Sequence, residues 1–313
     1  MKNSLTADDG VVALLRCPET GEALHAEAGA LVNSSKTHSY PLDPQGIPQF
    51  ASSFLSDDAR VQQEHYDKVA DAYLENLGYP HTQEYMAFLD KVLLDQIDDS
   101  DLGRVAELCC GQGEAFKLIG DRVGQGVGVD VSLAMLRAAT QVHASSKLTF
   151  LQADATRLPL ADGMFDSVFM LGGIHHVNDR DALFREVARL LKPGGRFYFR
   201  EPLSDFWLWR LLRSVIYRLS PALDHATERP LRHVETVPVL ERAGLTCTYW
   251  KTHGFLGFCF LMNSDILVFN RLFRFIPGIR GITRLSTRFD ELMTSLPGLR
   301  HAGLQVVGVA QKP

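Results

Sequence analysis

The 313-residue chain has few cysteines. There are five, odd in number and scattered (Cys17, Cys109, Cys110, Cys247 and Cys259), with no CxxC pair. That pattern excludes a disulfide framework and fits free thiols in a reducing compartment. Long apolar runs are also missing. The longest stretches, Phe255 to Met262 and Ile266 to Phe269, fall far short of the roughly 20 residues that a membrane span needs. The opening MKNSLTADDG holds no apolar segment of the kind a secretory signal carries. A soluble, cytoplasmic protein is expected, one that can at most lie on a membrane surface. There is no internal repeat and no low-complexity tract. With 46% hydrophobic and 22% charged residues, the composition is that of an ordinary globular chain.

Lysine is scarce where charge matters. Residues 1–100 carry 6 Lys/Arg against 17 Asp/Glu, residues 101–204 carry 12 against 12, and residues 205–300 carry 13 against 8. Twelve of those last 13 cations are arginine. The net charge of −5 thus hides an acidic front, a neutral middle and an Arg-rich back. A basic surface for nucleic acid over the whole molecule is excluded, while a local one in the last third is not.

Residues 1–50 are rich in turn formers and read as a small β-rich appendage. Residues 56–98 read as a helical cover. In EHYDKVADAYLENL, Tyr66, Val69, Ala70 and Tyr73 recur at helical spacing. From Arg104 short apolar runs alternate with amphipathic stretches. VAELCC, GVGVDV, KLTFLQAD, DSVFML and GRFYFRE read as strands, with helices between most of them. That order implies an α/β fold with a parallel sheet and helices on both faces. After Glu201 the regularity breaks. DFWLWRLLRSVIYRL reads as an aromatic helix, HVETVPVLERAG as a shorter one and TCTYWKTHGFLGFCF as a strand region. SDILVFNRLFRFI and TRFDELMTSL read as helices, and LQVVGVAQKP as a closing strand.

The sharpest local feature is Glu107-Leu108-Cys109-Cys110-Gly111-Gln112-Gly113 at the end of the first strand of the alternating region. Glycine there permits a tight turn and a close approach of ligand to backbone. A dinucleotide loop needs a third glycine where Phe116 stands, so that fingerprint fails. Asp130 ends the next strand, 17 residues after Gly113, where a carboxylate accepts from both hydroxyls of a ribose. Asp154-Ala155 ends the third strand, where a carboxylate can accept from an adenine amine. The fourth strand runs into Gly172-Gly173-Ile174-His175-His176. Each acid has a plainer reading: Asp130 as the cap of the helix after Ser132, and Asp154 as the anchor of a turn.

These residues, in this order and spacing, resemble the class I S-adenosylmethionine (SAM)-dependent methyltransferases. The likeness is closest to the type 11 group that includes the ubiquinone/menaquinone C-methyltransferases. It covers roughly residues 60–200 and the last strand. ELCCGQG corresponds to the glycine motif, with Cys109 at the first glycine position; VGVDVS, ADATRLPLADGMFDSV and LLKPGGRFYF correspond to the following motifs. The resemblance implies a doubly wound, Rossmann-like seven-stranded sheet with its last strand antiparallel. It implies a methyltransferase domain over 53–313 after an appendage at 1–52, with cap insertions at about 203–235 and 262–300. It implies SAM as cofactor, held by Tyr66, Tyr73, Glu107, Cys109, Gly111, Gly113, Asp130, Val131, Asp154, Ala155, Leu171 and Gly172, and no metal.

SAM brings an activated methyl group, so the enzyme mainly aligns the acceptor and excludes water. Where the acceptor must lose a proton a general base helps. His175, His176 and Glu201, placed by the resemblance at the rim of the acceptor pocket, are the candidates. Arg200 can pair with Glu201 or with an anionic substrate group.

The opening LLRCPETGEALHAE…HSYPLDPQGIPQF resembles the zinc ribbon that precedes some methyltransferases, including a guanine-N1 rRNA family. Thr20 and Asn33-Ser34-Ser35 stand where its further thiolates belong, so no zinc is expected. The helices at 206–219 and 266–276 combine apolar faces with Arg210, Arg213, Arg218, Arg271 and Arg274. They suit a cover for the core or a lid over an apolar or lipid-like acceptor, met at an anionic membrane surface. An rRNA or tRNA base methyltransferase is the alternative, and a non-catalytic SAM-binding module is a third reading. Oligomeric state is not legible.

Overall fold

The computed structural model describes residues 11–97, 102–219, 229–262 and 268–313. A small antiparallel sheet comes first, from β1 (Leu24–Glu27), β2 (Ala30–Asn33) and β3 (Ser39–Pro41). Helices α1 (Asp57–Leu77) and α2 (Pro80–Leu94) follow. Then come β4 (Arg104–Leu108), α3 (Glu114–Ile119), β5 (Gln125–Asp130), α4 (Leu133–Val142), β6 (Leu148–Gln152), β7 (Phe165–Leu171), α5 (Arg180–Leu190) and β8 (Leu191–Pro202). The last part holds α6 (Trp207–Leu219), α7 (His233–Arg242), β9 (Thr246–His253), α8 (Leu256–Met262), α9 (Ile279–Ser295) and β10 (Gln305–Gln311).

The large sheet has the order β6-β5-β4-β7-β8-β10-β9. Strands β4 to β8 are parallel, and β10 runs antiparallel to both β8 and β9. The central strands read as unbroken apolar runs because helices bury both of their faces. Val105, Ala106, Val168, Phe169, Phe197 and Phe199 are all fully buried. Strand order reverses between β4 and β7, and that is where a cleft opens beyond the carboxyl ends of the strands.

The N-terminal segment shares the core of the large sheet. Leu14, Leu15, Cys17, Leu24, Leu31, Tyr40 and Phe50 join one buried cluster with Leu158 and Leu160. The Arg16 amide donates to Pro159 O at 2.9 Å, and the Ala161 amide to Leu14 O at 2.8 Å. Gln49 runs parallel to Gln152 and the Gln152 amide donates to Pro48 O, which covers the free edge of β6. Where the ribbon-like reading placed lost thiolates, Asn33 Nδ2 donates to Glu22 Oε2 at 2.7 Å and to Thr37 Oγ1 at 3.0 Å.

Two segments depart from the sequence reading. TCTYWKTHGFLGFCF is not strand throughout: β9 ends at His253, Gly254 has φ +75°, and α8 follows. The start of α8 is held from a distance, because buried Asp290 accepts the Gly257 and Phe258 amides at 2.9 and 2.8 Å. The last helix also starts earlier, at Ile279, and 268–275 is a 3₁₀ segment with Ile266 and Leu267 outside the described residues. No described helix is long and apolar enough to cross a membrane.

Candidate functional site

The loop after β4 has to leave the sheet sharply. Cys109, Gly111 and Gly113 take φ values of +49°, +52° and +79°. Cys109 therefore adopts, with a side chain, the left-handed backbone that glycine adopts freely. Beneath the loop Glu107 is buried and accepts the Ala115 amide at 2.8 Å and the Phe116 amide at 3.4 Å. It satisfies the first turn of α3, and burial pushes its carboxyl up to about 8. Phe116, in the place of a third glycine, packs edge-on to Phe150 and His143. Glu107 and Gly113 thus shape the loop without lining the cleft.

Asp130 fills both readings made of it. Oδ2 accepts the Gly111 amide and Oδ1 the Ser132 amide, each at 2.9 Å, while the carboxylate still faces the cleft. Two backbone bonds leave lone pairs for further donors. Burial pushes the Asp130 carboxyl up, against the pull of those amides. Asp154 anchors its own turn through Thr156 and accepts the Ser56 amide at 2.8 Å.

Helix α1 is laid across the strand ends. Ser56 is held by Asp154, and Asp58 accepts from Asn178 Nδ2 at 2.7 Å. Asp67 accepts from Ser132 Oγ at 2.5 Å, and Tyr66 OH lies 3.2 Å from His176 Nε2. The helix thereby closes over a cleft at the carboxyl ends of the strands, the place where open α/β sheets bind small molecules. Tyr66, Cys109, Gly111, Asp130, Val131, Asp154, Ala155, Leu171, Gly172 and His176 all line it. The Tyr73 side chain lies outside the described residues. Sequence reading missed Gln62, Asp58, Glu114 and Met135, which also line the cleft. Gln62 is buried and its Oε1 has no hydrogen-bond partner, so it presents an open acceptor.

Glu201 does not open on the rim. It is fully buried and accepts the Gly173 and Ile174 amides at 2.8 Å each and His175 Nδ1 at 2.9 Å. Arg200 is turned away from it, toward Asp90 and Glu114. His175, which does not line the cleft, sits with its ring 3.8 Å from that of His176. Of the three proton-transfer candidates only His176 meets the cleft.

The charge of the site is one-sided. Asp58, Glu114, Asp130 and Asp154 line it, and no lysine or arginine does among the described residues. Such a cleft suits a cation bearing hydroxyls and a flat apolar group. A sulfonium-bearing nucleoside fits these residues: Asp130 for the ribose, Val131, Met135, Ala155 and Leu171 as apolar walls, and Gln62 and the carboxylates for positive charge.

A profile described as a methyltransferase domain matches residues 106–199. The chain is 32% identical over 162 residues to a 2-phytyl-1,4-naphtoquinone methyltransferase of Thermosynechococcus vestitus, covering 48% of this chain and 68% of that one. It is 31% identical over 159 residues to the methyltransferase GfsG of Streptomyces halstedii, covering 49% and 56%. The chain thus spans about half to two thirds of these relatives. The solved [4+2]-cyclase SpnF superposes with a TM-score of 0.58 at 18% identity, over 82% of this chain and 96% of that one.

Proposed function

The chain belongs to the class I SAM-dependent methyltransferases, and from that premise we propose that it methylates an apolar, uncharged or weakly acidic small molecule of lipid or quinone type. The observation that carries the reading is the cleft lining, four carboxylates and aliphatic walls without lysine or arginine among the described residues. A polyanionic acceptor such as RNA draws its affinity from cations on its phosphates, so the rRNA or tRNA reading loses support. The named acceptor of one relative, a phytyl naphthoquinone, is of the favoured class.

SAM supplies an electrophilic methyl on a positive sulfur. The residues of this chain hold the ribose (Asp130), shut out water with α1, and place the acceptor in line with the transferred methyl. His176, with Tyr66 OH at 3.2 Å, takes a proton from the acceptor where one is lost. Glu201 is a positioning residue that fixes the Gly173–His175 turn. We also propose that the chain divides into an appendage over 1–52, kept for packing or docking, and a catalytic unit over 53–313.

The test is methyl transfer from radiolabelled SAM to fractionated cell extract. Label should move into the fraction extracted by organic solvent and be lost with His176→Asn. Label in RNA would establish the alternative. Tight SAM binding with label in no fraction would favour the non-catalytic module.

A further inference from the structure

Helix α9 is amphipathic in the reverse sense. The side turned into the protein carries Thr283, Thr287, Asp290 and Thr294, none more than 6% exposed. The outer side carries Ile282, Leu285, Phe289 and Leu292, continued by Leu296, exposed by 43–68%. The helix cannot roll to hide this stripe. Buried Asp290 accepts from Tyr85 OH at 2.6 Å and from the Gly257 and Phe258 amides, and turning it outward would strand three donors.

Neighbouring elements add to the same region. Trp209 of α6 donates to Ala302 O at 2.7 Å and packs edge-on to Phe255, in a buried cluster that Met293 of α9 joins. On the same helix Trp207 is 61% and Leu211 57% exposed. Isolated exposed leucines need no explanation, but a stripe of five apolar side chains along one helix face does.

The charge around the stripe identifies its occupant. From Val268 to Arg300 there are six arginines, no lysine and two acids. One acid is the buried Asp290, and the other, Glu291, is taken by His253 and Lys251. Arg274 pairs with Glu75, and Arg280 and Arg284 with Glu84, so the free cations of this face are fewer than the six. Arg271 and Arg288 are exposed, and no described residue forms an ion pair with either. A second copy would bring unpaired arginines against arginines. The stripe also covers only about two heptads, against the three to four that sustain a coiled coil.

We propose that this face docks on a bilayer containing anionic phospholipid. The α9 stripe enters the boundary between headgroups and acyl chains while Arg271 and Arg288 meet lipid phosphates. The proposal goes beyond methyl transfer and stands whatever the acceptor.

The experiment is flotation of the full chain with vesicles of phosphatidylcholine alone or with about 30% phosphatidylglycerol. The protein should float with the anionic vesicles and be released by salt. Leu285→Gln with Phe289→Gln should weaken binding at least tenfold. Arg271→Gln with Arg288→Gln should weaken it about 25-fold, from about fivefold per arginine. Both variants should bind SAM as the parent does, which shows that they are folded. Equal flotation with neutral and anionic vesicles, or none with either, overturns the proposal. So does a dimer that the Leu285/Phe289 pair dissolves while vesicle binding is absent.

Discussion

The Glu201 carboxylate and His175 Nδ1 stand 2.9 Å apart, with the carboxylate wholly buried. The same carboxylate accepts two amides from the turn that carries both histidines. Glu201→Ala strands these donors, each a penalty of roughly 1–3 kcal/mol. It should lower the unfolding free energy by about 3 kcal/mol or more in urea melts. Glu201→Gln keeps one oxygen and should lose about half as much. A Gln variant that melts like the parent would refute the clamp.

Asp130 holds the glycine loop through Gly111 and faces the cleft. Two ribose hydroxyls bonded to a carboxylate contribute roughly 1.5–3 kcal/mol each. Asp130→Ala should therefore weaken SAM about 100-fold or more by calorimetry. Asp130→Asn retains one acceptor and should cost about tenfold. An affinity indifferent to Asp130→Ala would remove the ribose assignment.

What could be read from the sequence was what lies close along it. The glycine loop, the acids at strand ends and the glycine-histidine turn all follow directly from a strand, so β-α alternation places them together. Partners far apart in the chain were hidden. Ser56 meets Asp154 across 98 positions, and that contact brings α1, with Gln62, over the cleft. Asp290 caps α8 from 33 residues away, so α8 read as strand. Glu201 looked like a free carboxylate because its partners are mostly backbone amides, which every sequence has. The apolar periodicity of α9 marked a helix, but not that its threonine side would face inward.

Glu107 gives the protein a pH dependence of unusual sign for a carboxylate. In the unfolded chain it titrates near 4.5, and in the folded protein burial raises it to about 8. Between these values the folded state binds more protons, so stability is complete below about 4.5 and falls as pH rises toward 8. Glu107→Gln copies the neutral form. The stability of the variant relative to the parent should grow from pH 5 to pH 8, by at most about 1.4 kcal/mol per unit. A difference constant over that range would show that Glu107 is ionised in the fold.

Gly173 leaves no room for a side chain beside Cys109. A Cβ on Gly173 would stand 2.5 Å from Cys109 Cβ and 3.0 Å from its Sγ, with Met170 Cε at 2.8 Å. Cys109 is held at φ +49° and cannot give way without moving the loop that carries Gly111. Gly173→Ala should cost roughly 1–3 kcal/mol of stability, as overpacking does, and weaken SAM binding because both residues line the site. Cys109→Gly removes both atoms of the obstruction and suits the left-handed backbone, leaving only the flexible Met170 tip to adjust. The double variant should therefore recover at least about 1 kcal/mol beyond the sum of the single changes. Strict additivity in melting and in SAM affinity would mean that the two residues do not set the width of the cleft.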